Sequence, residues 1–307
     1  MKDAAQMVAE KILGLLDKGV SPWHASWNCG MAGIPRNAYG KEYRGINVIL
    51  LGLQGRKSPW WFTFRKAKEL GGNVRKGERG TTVVFNKHTQ FIERGEDGEA
   101  IVGDDGVPHL RSFFLARCYT VFNAEQIDGL PAKYKAAEEG AWENDVVPHE
   151  AAAGIWALYE DAPKVSHHDC FCPSYSLTRD VITIPEPKRF KSTEGYYATL
   201  FHEGCHSTGH KKRLDRDMGG DFGSDKYAFE ELVAEIGAQM LCQRCGIERT
   251  LESGAAYCKG WARKLRGEKN VGKAILRAAS LAQRAADYIL GVKFADDNDN
   301  ENNKEEK

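Results

Sequence analysis

The sequence has no run of 18 or more apolar residues, the length that a membrane-spanning helix calls for, and Met1 to Glu10 contain no apolar leader segment. Neither a span nor an export signal is expected. The expectation is therefore a soluble cytoplasmic protein with no membrane partner. Eight cysteines are dilute among 307 residues, and in a chain without an export signal they are expected to stay reduced. Two close pairs occur, Cys170 with Cys172 and Cys242 with Cys245. They lie about 70 residues apart, whereas a zinc ribbon sets its two CxxC units about 15–20 apart, so no second metal site is expected from them. No internal repeat stands out, and the formal net charge is zero, with 43 Lys and Arg against 43 Asp and Glu.

That balance conceals an asymmetry. From Arg36 to Lys87, twelve Lys and Arg face only three acids, Glu42, Glu69 and Glu78. The end, Asp296 to Lys307, has six acids, two lysines and no apolar side chain, the composition of a solvated, disordered tail. A chain of this length, 42% hydrophobic, can build two domains of ordinary size.

The spacing of Val8, Ile12 and Leu15/Leu16 predicts an amphipathic helix over Ala4 to Leu16. An apolar run, Ile46 to Leu53, precedes a short helix near Phe64 to Leu70 that stops at Gly71-Gly72. Two strand-like runs, Thr81 to Lys87 and Phe113 to Phe122, enclose turn formers read as a long hairpin loop. Beyond a charged, Ala-rich stretch, Glu150 to Tyr159 reads as helix, Tyr175 to Ile184 as strand with a turn at Arg179-Asp180, and Glu194 to Leu290 as largely helical. The expectation is an α+β protein. An N-terminal α+β domain spans 1–135, a linker 136–147, a mainly helical domain with a small sheet 148–294, and the acidic tail 295–307.

His202-Glu203-Gly204-Cys205-His206 fits H-E-x-x-H. Four residues apart on a helix, the two imidazoles share a face and can reach one ion. Glu203 is turned by about 100° and can address a water held by that ion, the role of a general base. Such a site, called a zincin site, needs a third protein ligand. Glu231 and Glu235 lie four apart on the strong helix former Glu230 to Ala238, after a Gly-rich stretch that lets the chain turn back. The preferred reading makes Glu231 the ligand, with Glu235 accepting the free N–H of a ligand histidine. The roles of the two can be reversed, and His210 is a third candidate, although one continuous helix cannot wrap three histidines around an ion. The metzincin pattern, which places a third histidine further along, meets Lys212 there instead. Zn2+ is the expected cofactor, with another divalent ion such as Mn2+ as the alternative.

The basic stretch interleaves its cations with Tyr39, Tyr43, Trp60, Trp61, Phe62, Phe64 and Phe85. Single strands are held by these two ingredients, a positive groove and rings on which bases stack. The competing reading makes the rings core and the lysines a solvated face. On the first reading, Arg44, Arg65, Lys66, Arg75, Lys76 and Arg79 are the candidate phosphate contacts, with Tyr43 and Trp60 as stacking platforms. Sequence preference is not expected, since no reading helix is evident.

Taken together these residues resemble a known family, the ArdC-type antirestriction proteins of conjugative plasmids, whose N-terminal domain also occurs at the front of plasmid primases. The resemblance runs through Pro35-x-Asn37, Tyr43-Arg44-Gly45-Ile46-Asn47, Phe62-Thr63-Phe64-Arg65, Gly71-Gly72-x-Val74-Arg75-Lys76-Gly77-Glu78 and Tyr119-Thr120-Val121-Phe122-Asn123. It continues through Tyr175, Asp180, His202-Glu203-x-x-His206-x-x-Gly209-His210, Arg213-Leu214 and Tyr227-Ala228-x-Glu230-Glu231-Leu232-Val233-Ala234-Glu235. It implies a single-stranded-DNA-binding N-terminal domain joined to a zincin-like metallopeptidase domain, and protection of incoming DNA from host restriction. Residues from Gly246 onward fall outside these motifs.

Two functions compete. The first is a zinc metallopeptidase acting on a protein linked to restriction. The second is a non-proteolytic DNA-binding protector whose metal site is structural or regulatory. A nuclease is disfavoured, because metal nucleases gather several carboxylates around Mg2+ or Mn2+.

Overall fold

The computed structural model describes residues 4–22, 34–92, 99–102, 110–134, 148–168, 173–218, 225–247, 255–267 and 270–292. The expected linker 136–147, most of the hairpin loop, the pair Cys170 and Cys172 and the acidic tail lie outside them.

Helix α1 (Ala4–Asp17) forms where the apolar spacing predicts it, with Val8, Ile12 and Leu16 buried. Helix α2 (Ile46–Gly52) is buried on every side, as an apolar run without a polar face requires. It begins after Gly45, whose φ of 57° lies in the left-handed region that glycine tolerates.

Strands β1 (Arg36–Asn37), β2 (Trp60–Thr63), β4 (Thr81–Ile92) and β5 (Leu110–Asn123) make a sheet of order β1-β2-β5-β4, parallel only at β1 and β2. Helix α3 (Phe64–Glu69) follows β2 at once, capped by the Thr63 hydroxyl, which accepts the Lys66 N–H at 3.2 Å. A two-stranded pair, β3 (Asn73–Val74) with β6 (Ile127–Asp128), closes this half. Strands β4 and β5 run past the apolar stretches that announce them, because each continues to hydrogen-bond the other from Asn86–Ala116 out to Ile92–Leu110.

The second half opens with α4 (Pro148–Ala157) and a three-stranded sheet of order β7 (Lys164–His167), β9 (Val181–Ile184), β8 (Ser174–Ser176). Helices α5 (Thr193–Ser207), α6 (Asp225–Arg244), α7 (Ala255–Gly267) and α8 (Val271–Ile289) follow. The turn between β8 and β9 places Asp180 at φ 51°, a conformation that Asp adopts more readily than most residues.

Helix α8 buries a continuous stripe of Ile275, Ala278, Ala279, Ala282, Ala285, Ala286 and Ile289. Small side chains let its neighbours approach closely. A methyl group at Gly272 would fall 1.9 Å from the Ala5 carbonyl oxygen of α1. The largest apolar cluster joins α1 and α2 to α4, α5, α6, α7 and α8. The helical layer thus takes in two helices from ahead of the expected domain boundary. A buried stripe in a sequence declares burial but not its partner.

Polar contacts fasten the same joint. The Gly45 N–H donates to Gln283 Oε1 at 2.9 Å, and Gln283 donates to the buried carboxylate of Asp287, which also takes the Arg44 guanidinium. On the sheet side, the Asn47 amide donates to the Val84 carbonyl and accepts its N–H, both at 2.7 Å, locking α2 to β4.

Candidate metal centre and ring-lined cradle

Helix α5 starts at Ser192, whose hydroxyl accepts the Gly195 N–H at 3.1 Å. Three turns on, His202 and His206 share a face and their Nε2 atoms stand 3.2 Å apart. Helix α6 brings Glu231 across, 3.4 Å from His206 Nε2 and 3.7 Å from His202 Nε2. The close approach of α5 and α6 needs Gly237, where a Cβ would meet Cys205 Sγ at 2.7 Å. A tetrahedral ion bound at about 2.0–2.1 Å sets its ligands about 3.3–3.4 Å apart. The three separations straddle that value, and two imidazole nitrogens aimed at each other can share at most one proton. The set therefore fits a divalent ion, and among the described residues it is the one group of three or more such side chains close enough to hold one.

The surroundings of the two histidines differ. His206 Nδ1 donates to Glu230 Oε1 at 3.3 Å. Arg216 clamps that carboxylate at 2.6 and 3.2 Å and also donates to Thr208 Oγ1 and the Cys205 carbonyl. Glu235, expected to receive a ligand N–H, does not do so. Four residues carry it about 6 Å further along the helix axis, and the structure gives the place to Glu230. Nδ1 of His202 has no hydrogen-bond partner among the described residues. His210, the other candidate ligand, is buried outside the cluster, with Nδ1 accepting the Lys212 N–H at 3.2 Å.

Burial opposes charge on His206, but Glu230 and Glu231 outweigh it and push its pKa up to about 10. Burial likewise works against the Glu231 carboxylate, and the two histidines overcome it and hold its pKa below the ordinary value. Glu203 is raised, chiefly by burial. It shares a cavity of about 360 Å3 with Tyr175, Leu177, Met218 and Tyr227, beside the three clustered residues. The Tyr227 phenol, half-buried and next to Glu231, is pushed up to about 12.

Beneath the site, the buried Arg213 guanidinium forks onto Asp180 at 2.9 Å and donates to the Ser207 carbonyl, tying the β8–β9 turn to the end of α5. Burial raises the Asp180 pKa, while Arg213 and the Tyr175 hydroxyl lower it further, leaving it below the ordinary value. Sequence reasoning missed Glu230, Arg216 and Tyr227, although Glu230 and Tyr227 lie within four residues of Glu231.

In the basic half the structure sorts the expected DNA contacts. Arg44 is turned to Asp287. Arg75 is held by Glu78, Asp128 and the Glu125 carbonyl. Trp60 packs edge-on against Tyr134, 5.1 Å between centroids, and Tyr43 is core, only 8% exposed. Lys76 and Arg79 are exposed. Arg65 and Lys66 project from α3, each paired with Glu69, at a cavity of about 240 Å3 that Tyr39, Phe85, Tyr119 and Trp61 also line. Tyr39 and Phe85 were not among the candidate contacts, since only the sheet register brings them beside Tyr119.

Two protein families match separate stretches of the chain. Residues 2–122 match the N-terminal domain of anti-restriction factor ArdC, and residues 161–281 match the zincin-like metallopeptidase family. The chain is 38% identical to a DNA primase TraC of Escherichia coli over 93% of its own length, but spans only 20% of that relative. A second TraC is 37% identical, with 27% of it spanned. Uncharacterized protein y4eC of Sinorhizobium fredii (strain NBRC 101917 / NGR234) is 32% identical, with 94% of this chain and 91% of that one covered. The fold is similar to crystal structures of the antirestriction ArdC protein from the R388 plasmid, metal-free at a TM-score of 0.71 and Mn(II)-bound at 0.69. Both are 38% identical, over 94% of this chain and 97% of theirs.

Proposed function

The chain belongs to the ArdC antirestriction family, and on that premise we propose that it joins single-stranded-DNA binding in residues 1–135 to a divalent-metal, peptidase-type centre in residues 148–294. Together these would protect incoming DNA from restriction in the cytoplasm. One observation carries the reading. His202, His206 and Glu231 offer three ligand atoms within 4.8 Å of one another in an open cavity that Glu203 also lines.

Zn2+ is the ion that two imidazoles and one carboxylate favour. Mn2+ is the alternative, and is the ion in one of the related ArdC structures. When bound, the ion supplies Lewis acidity toward a substrate carbonyl. Glu203, its basicity raised by burial, takes the proton of an attacking water and passes it to the leaving amine. Tyr227 keeps its phenol protonated and can donate to the developing oxyanion. Strand β8 is an edge strand on the cavity wall, so an extended peptide of a restriction-linked protein can lie along it.

Metal content and DNA binding across salt, measured on the same samples, test the reading. Wild type should hold one equivalent of metal, His202→Ala and Glu231→Ala none, and all three should bind single strands. Stoichiometric metal in Glu231→Ala would overturn Glu231 as the third ligand. Glu203→Gln should keep the metal and lose cleavage of a protein substrate. Cleavage that persists in this metal-replete variant overturns Glu203 as the base, absence of cleavage by metal-loaded wild type overturns the peptidase reading, and protection that persists without cleavage favours a structural or regulatory metal.

A further inference from the structure

We infer that the cradle framed by Tyr39, Phe85 and Tyr119 is a nucleobase subsite, where one base of a single strand stacks on the rings while Arg65, Lys66 and Arg117 hold the adjoining phosphates. It rests on the single-strand reading above and assigns that reading a place.

The sheet builds the cradle. Val83 pairs with Tyr119 and Phe85 with Arg117, so alternation sends all four side chains to one face. Only a small apolar cluster of Tyr43, Leu51, Trp61, Val83 and Val121, with Tyr119 against it, covers that face. Beyond the cluster, Phe85 is left 46% exposed and Tyr39 64%. Phe85 stands edge-on to Tyr119 at 5.4 Å, leaving a stepped, apolar wall.

The turn that carries Tyr39 is set in place before any ligand arrives. The Asn37 side-chain oxygen accepts the N–H groups of Tyr39 and Lys41 at 2.9 and 3.0 Å, and Gly40 completes the turn at φ 87°. A backbone already fixed leaves less entropy to lose when its ring stacks.

The lining chemistry selects the ligand. Lys66 Nζ lies 4.5 Å from the Tyr39 ring centroid. The pairings of Arg65 and Lys66 with Glu69 are exposed and can yield to phosphate. Trp61 lines the same cavity, and its indole N–H, a donor only, has no partner among the described residues. Flat apolar faces and flanking cations suit a base carried on a phosphodiester. A duplex keeps its bases stacked inside and cannot present one without flipping it.

The test is anisotropy of the full chain with a labelled oligo-dT and with an abasic strand of equal length, for wild type, Tyr39→Ala, Phe85→Ala and Tyr39→Phe. Tyr39→Ala and Phe85→Ala should each weaken oligo-dT binding about ten-fold, within the range for loss of a stacking ring. The salt slope should stay as it is, Tyr39→Phe should restore affinity, and the abasic strand should not distinguish the variants. Wild-type affinity in both alanine variants overturns the subsite while leaving single-strand binding intact. Failure of wild type to bind any single strand overturns the functional reading, and the subsite with it.

Discussion

The metal cluster and the ring-lined cradle are built on opposite plans. At the cluster the ligand atoms converge between two buried helices, and His206 is held by Glu230, which is held in turn by Arg216. At the cradle the rings stand partly in solvent, and the cations beside them are long, exposed side chains with replaceable partners. A site that must position a reacting bond to a fraction of an ångström benefits from rigidity inherited from helix packing. A surface that follows a flexible polyanion does not need it. Substitutions around the cluster should therefore cost stability or metal affinity steeply, and those in the basic half should cost little.

The largest expected effect lies under the cluster. Asp180→Asn keeps a residue tolerant of the left-handed turn but leaves the Arg213 guanidinium, 2% exposed, without its anion. The expected loss is about 3 kcal/mol of unfolding free energy in chemical denaturation. Because the folded pKa of Asp180 is depressed, its contribution is complete above its ordinary value of about 4 and is lost as pH falls through the folded value. Wild-type stability should fall in that acid window, and the Asn variant should show a flatter profile there.

Next comes Glu230→Gln, which removes the charge beside His206 and frees Arg216. Metal affinity, read by competition with a chelator, should drop about 10–100-fold. An unchanged affinity would mean that the clamp is structural only, and the contrast between the sites would soften. A smaller effect belongs to Lys76→Ala and Arg79→Ala. Each should lower the slope of log affinity against log salt for single strands by about 0.7 if its cation sits on a phosphate. The smallest belongs to Arg75→Ala, which should leave that slope unchanged because Glu78 and Asp128 already neutralise Arg75. A slope loss equal to that of Arg79→Ala would erase the distinction between paired and free cations.

The two plans also explain what could be read from the chain. His202, His206 and Glu203 were legible because helical spacing alone fixes their relation, and Glu231 because it follows on a second strong helix. Glu230 was passed over for Glu235, since a shared face on one helix says nothing about the height at which the other helix crosses. In the basic half, Arg65 and Lys66, singled out by charge, line a cavity, whereas Tyr39 and Phe85 come together only through a turn and a strand register. Tyr43 and Trp60 pack against other rings and Arg44 pairs with Asp287, which composition cannot reveal. Helix α8 belongs to no motif, yet its alanine stripe organises the helical layer.

The joint at Gly45, Arg44 and Asp287 ties the ring-bearing half to the helix that backs the metal helices. With α1 and α2 in the same apolar cluster, neither half can melt without stripping the other. Occupancy at one end would therefore be thermodynamically linked to integrity at the other: a strand bound on the sheet would raise the unfolding midpoint of the helices, and an ion bound between the helices would do the same for the sheet.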